Sequence, residues 1–264
     1  APPEKRLTPS HSLKPVIHTP HHPIELHHLS AWIGSLTLVL ATAGIGTTLV
    51  GTLPAAHAAE APVATQSSAH AAALPADPAL RAAMQLFQRA ADGDAGAIEP
   101  AVEAWTQLSK AQPADPVRLA YLGSATSMQA TTTWMPWRKI AHAENGLALL
   151  DKALSMLSTS TETATAGPLP AALEVRFTAA STFLALPSMF NRQARGDKLL
   201  AEVVKHPSLG TAPLSFRGAV WLAAGRHAKQ AGQTADARRW LQEVVAQGAP
   251  QAAAAQALLR ELGA

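Results

Sequence analysis

The chain contains no cysteine. That excludes disulfide frameworks, thiolate metal sites and cysteine nucleophiles, and it is compatible with an oxidising compartment. Aromatic residues make up 5% and tyrosine occurs once, so side chains other than large rings must fill most of any core. Charge of one sign is also lacking: Lys plus Arg is 21 against Asp plus Glu 18. No basic stripe is present, which removes the electrostatic footprint of a nucleic-acid binder. Runs of alternating β-branched residues are absent, so no sheet is expected. Nor are there chemical signatures of the G-x-S-x-G, phosphate-loop or H-E-x-x-H type. His142 and Glu144 are close in sequence but do not share a helix face, and His206 and His227 have no second ligand at metal spacing. Trp105, Trp221 and Trp240 stand at helical spacing, as core residues do. The expectation is a protein without enzymatic activity, cofactor, metal or small-molecule substrate.

What is abundant is alanine, the best intrinsic helix former and small enough to let helices approach closely, so the fold class expected is all-α. Residues 1–30 hold several prolines, no helical period, and His18, His21, His22, His27 and His28. They read as an extended arm. A metal-handling tract is the alternative, disfavoured because prolines between the histidines leave no preformed geometry.

Residues 31–53 (AWIGSLTLVLATAGIGTTLVGTL) carry no charge, and none occurs between His28 and Glu60. A bilayer core needs roughly 20 such residues, and Trp32 stands where an interfacial aromatic belongs. Lys5, Arg6 and Lys14 precede the span, which predicts a cytoplasmic arm and an exported remainder. Ala43, Thr47 and Gly51 form a small-residue stripe able to pack on another membrane helix. The AHA–A pattern at 56–59 also fits a signal-peptidase site; the length of the arm favours an uncleaved signal anchor. Residues 54–77, rich in Ala, Pro and Ser, read as a linker.

From 78 onward a triplet recurs: a small residue, a large apolar one four later, an apolar one three beyond. It appears as Ala101/Trp105/Leu108, Gly146/Leu150/Ala153, Gly196/Leu200/Val203 and Ala237/Leu241/Val244. Offsets of i, i+4, i+7 share one helix face. Each triplet follows another apolar-periodic segment (80–91, 117–130, 169–186, 216–230), which predicts four tandem helical hairpins in an α-solenoid. Residues 252–262 are expected to add a capping helix.

The run Trp221…Gly225…Gly232…Ala237…Leu241…Val244 resembles the tetratricopeptide repeat. Earlier repeats match less fully: the second keeps Leu122-Gly123 and then inserts about eleven residues before Gly146. The stretch containing AYLGSA, WMPWRK and GLALLDKAL looks like a bacterial membrane-anchored or exported subgroup of such proteins. The resemblance implies a scaffold or adaptor that binds partner proteins in an inner-membrane envelope complex, such as a transporter or secretion assembly, with the repeats on the periplasmic side. A signal-cleaved soluble periplasmic binding or chaperone protein is the alternative.

Within the second hairpin, 131–139 (TTTWMPWRK) interrupts the repeat, and a similar apolar turn, LPSMF, follows at 186–190. Stacked repeats place equivalent turns on one edge, so Trp134, Met135, Trp137, Arg138, Met189 and Phe190 are the candidate protein-binding residues. Either tryptophan could instead fold back into the groove between the second and third hairpins. Trp137, at the start of the following helix, is the better placed to do so. A reporter fused after Ala264 is expected to work only if it matures outside the cytoplasm; activity of a cytoplasm-only reporter there would overturn the topology.

Overall fold

The structure, a computed structural model, describes residues 77–158 and 169–263. The arm, the 31–53 span with Ala43, Thr47 and Gly51, and the linker lie outside the described residues. Among those described, there is no strand, and no helix is long and apolar enough to cross a membrane. The elements are α1 (Pro78–Ala91), α2 (Ile98–Ala111), α3 (Pro116–Met128), α4 (Pro136–Ser155), α5 (Ala171–Ala185), α6 (Gln193–Lys205), α7 (Leu214–Gln230), α8 (Thr234–Ala246) and α9 (Ala252–Glu261). They pack as four consecutive hairpins, with α9 against α8 and α7.

Local chemistry sets the boundaries. Asp77 and Asp115 each precede a proline at the first helical position, and their carboxylates accept from Ala79 N (2.9 Å) and Val117 N (2.8 Å). These are the N-cap and N1 preferences acting together. Gly93 and Gly232 take positive φ (99° and 73°) at the turns of the first and fourth hairpins. There the residue after the glycine reaches back to the helix: Asp94 N to Arg89 O at 2.9 Å, Gln233 N to Ala228 O at 2.8 Å.

All four sequence triplets are buried. The hairpins nevertheless differ between their two helices. In α3, α5 and α7, nine residues each are buried, against five in α4, four in α6 and three in α8. In the last three hairpins the first helices thus form an inner layer covered on nearly all sides, and the second helices an outer layer with one apolar face; in the first hairpin α1 and α2 bury four residues each. Alanine, serine and threonine let the inner helices meet: Ser124 Oγ and Thr182 Oγ1 are 2.9 Å apart, both buried. Tyr121 donates to Glu174 Oε1 at 2.7 Å. As the α3 position rises from 121 to 124 its partner in α5 rises from 174 to 182, so the two helices run parallel and end on the same side.

The tightest crossing is in the second hairpin. A Cβ on Gly146 would sit 2.1 Å from Ser127 Oγ and 2.5 Å from the Gly123 carbonyl; one on Gly123 would sit 2.8 Å from the Gly146 carbonyl. The fourth hairpin crosses Gly225 over Leu241, with the Ala237 carbonyl at 3.5 Å from the missing Cβ. Gly146→Ala and Ala237→Leu are each expected to destabilise the fold by roughly 1–3 kcal/mol, despite the better helix propensity of alanine over glycine. Thermal melting of the full chain checks this. Gln233→Ala, exposed on a turn, should melt like wild type.

Candidate interaction edge

In the second hairpin, α3 closes with a 3-10 turn (Gln129–Thr131), and the three threonines that follow spend their hydroxyls on the turn itself. Thr131 Oγ1 donates to Met128 O (2.7 Å), Thr132 Oγ1 donates to Gln129 O (2.9 Å), and Thr133 Oγ1 accepts from Met135 N (3.3 Å). Pro136 forces Met135 into extended backbone (φ −74°, ψ 116°), so Trp134 lies in the turn and Trp137 in the first turn of α4. Trp134 is 78% exposed and Trp137 64%. Neither folds back into the groove, contrary to the alternative open to both.

Helix lengths explain why. Outer helices α2, α6 and α8 begin three residues before their small crossing residues, at Ile98, Gln193 and Thr234 against Ala101, Gly196 and Ala237. α4 begins at Pro136, ten residues before Gly146. The seven additional residues lengthen the part of α4 that precedes its crossing by about 10 Å at ~1.5 Å per residue, an overhang that the other outer helices lack. The insertion expected from sequence is this overhang plus its 3-10 turn. Trp137 sits beyond the groove it would have filled.

In the third hairpin, Pro187 leads into a 3-10 turn (Ser188–Phe190) that ends at Asn191 in left-handed conformation, φ 52°. Gln193 Nε2 ties the turn down through Leu186 O at 2.8 Å. Met189 is 50% exposed. Phe190 and Met135 are half-buried, and the Phe190 ring packs on the core. Of the six candidates, Trp134, Trp137, Arg138 and Met189 are thus exposed, Met135 is half-buried, and Phe190 serves the fold in part. Because α3 and α5 run parallel, both turns emerge on one side of the array.

Beneath them lies a junction that local sequence reading missed. Asp151 of α4 accepts from Arg192 (2.9 Å) and Arg195 (2.5 Å), and both guanidiniums lie over the Phe183 ring. Deeper in, burial pushes the Glu174 carboxyl above its usual range, the Tyr121 hydroxyl opposes this, and Asp115 adds to it. Burial and Glu174 together hold Tyr121 well above the usual phenol range. At the first turn, burial raises Asp92 against the pull of Arg226, a residue of α7.

The remaining candidates have structural posts. Trp105 is fully buried and stacks on Tyr121 with ring centres 4.6 Å apart; Trp221 is buried under Arg217. Half-buried Trp240 lies under Arg239. His206 Nδ1 accepts from Ser208 N (3.2 Å), and His227 Nε2 meets Asp197 at 2.9 Å. Among the described residues no three His, Asp or Glu side chains are grouped as a metal would need. The chain matches no family model, no curated protein and no solved structure.

Glu174 supplies a pH test. A carboxyl whose folded pKa is raised costs stability once pH climbs above the unfolded carboxyl range, and costs nothing below it. Glu174→Gln keeps an acceptor for Tyr121 but never ionises. It should melt higher than wild type at pH 7, with the difference closing as pH falls through the ordinary carboxylate range; a gap that stays constant or widens would show the charge is not the cause.

Proposed function

We propose that this chain is a membrane-anchored helical-repeat scaffold without enzymatic chemistry, similar to tetratricopeptide proteins. It holds a partner protein of an envelope complex at the inner membrane, with the repeats on the periplasmic side. The observation that carries this reading is the exposure of Trp134, Trp137 and Met189 on turns at one side of the array. Tryptophan and methionine are enriched at the centres of protein interfaces, and an interface centred on them draws its affinity from burying them. The inner helices offer no comparable surface, being covered already. The uncharged 31–53 segment supplies the anchor.

Trp134→Ala combined with Met189→Ala tests the edge without touching the core. Each truncation at a hot spot is worth about 2 kcal/mol, or ~30-fold in affinity, so the pair should abolish co-purification of the partner from solubilised membranes. Helicity and melting temperature should stay at wild-type values. Unchanged co-purification would move the partner elsewhere, first of all to the membrane segment.

A further inference from the structure

The chain has no cysteine, so methionine supplies its only sulfur. A thioether is readily converted by two-electron oxidants, and access to the side chain decides which methionine reacts. The five methionines differ in that access. Met128 is 2% exposed and belongs to the core, and half-buried Met84 and Met156 pack against it. Met135 is half-buried ahead of Pro136. Met189 alone is exposed.

The turn that carries Met189 is held without its side chain. Phe190 N donates to Pro187 O at 3.0 Å and Asn191 N to Ser188 O at 2.8 Å, so backbone bonds close the turn. Gln193 ties it to Leu186 O, and Phe190 is the residue that packs on the core. A change of polarity at Met189 therefore bears on the edge and not on the fold.

We propose that Met189 is an oxidation site whose conversion to the sulfoxide switches the docking edge off; this inference rests on the docking reading above. The co-reactant is a hydroperoxide, in the simplest case hydrogen peroxide. The sulfur lone pair attacks one peroxide oxygen, the S–O bond forms and the O–O bond breaks. The proton on the attacked oxygen passes to the leaving hydroxide, which departs as water. Sulfur loses two electrons and the peroxide gains them. The product carries a polar, hydrogen-bond-accepting oxygen where an apolar side chain stood. Burying that oxygen against an apolar partner surface leaves it without a donor, which weakens docking. A methionine sulfoxide reductase returns the thioether and with it the edge.

The test treats the full chain with hydrogen peroxide, maps the oxygen added by peptide mass, and measures co-purification of the partner from solubilised membranes. Met189 should gain one oxygen before any of the other four methionines, with helicity and melting temperature unchanged. Co-purification should then fall at least about tenfold and return after treatment with the reductase. Met189→Leu has no sulfur at this position and is compared with itself, untreated and treated; peroxide should not change its co-purification. Earlier oxidation of another methionine would overturn the inference, as would unfolding on oxidation of Met189 or an equal loss in Met189→Leu. Unchanged co-purification by a chain carrying the sulfoxide would overturn it too. The docking reading falls with it only if Trp134→Ala with Met189→Ala also leaves co-purification unchanged.

Discussion

Two backbones touch between α3 and α4, and the rest of the array is registered on that contact. With Gly146 seated on the carbonyl of Gly123 and on Ser127, no side chain fits at the crossing. Helices this close cannot slide, because sliding by one residue drives a Cβ into a backbone oxygen. The fixed hairpin then presents Ser124 at one height only, and Thr182 of α5 meets it there. The same hairpin fixes where Pro136 falls, and so how far Trp134 and Trp137 project.

The scarcity of aromatic residues follows from the same packing. Inner helices buried on nearly every side leave little volume between neighbours, and alanine, serine, threonine and glycine fill it. Large rings appear where a gap opens between layers, as with Phe87, Trp105 and Tyr121 at one junction and Phe177 with Phe216 at another. Serine and threonine keep their hydroxyls satisfied by bonding back one turn, Ser127 to Gly123 O and Thr182 to Thr178 O, so burying them costs little.

Much of this could be read from periodicity. The triplets found by spacing are buried in the structure, and the segments before them are the first helices of the four hairpins. Local pattern does not encode which distant residues meet. Tyr121 and Glu174 are 53 apart, and Asp151 and Arg192 41 apart; nothing in their immediate neighbourhoods marks them as partners. The edge was legible in part: Pro136 breaks the chain where it should, and Trp134 and Met189 are exposed. Phe190 was the exception, because an apolar turn can turn one ring inward while its neighbour points out. Trp137 went the other way, since its fate depended on counting helical residues back from Gly146.

The first turns of the outer helices separate what serves the fold from what does not. α2 and α8 carry Glu99 and Asp236 there, as the helix dipole favours. α6 carries Arg195 instead, but Asp151 of the preceding hairpin neutralises it and turns it into a clamp. α4 carries Arg138 and Lys139 with no such neutralisation and adds Trp137 beside them in water. A shorter α4 beginning near Ala143, like its counterparts, would complete the same hairpin without any of these side chains. Places where a sequence contradicts its own local rules without compensation inside the fold are where an outside ligand is to be sought. In this array the unfavourable charge and the exposed ring coincide in the first turn of α4.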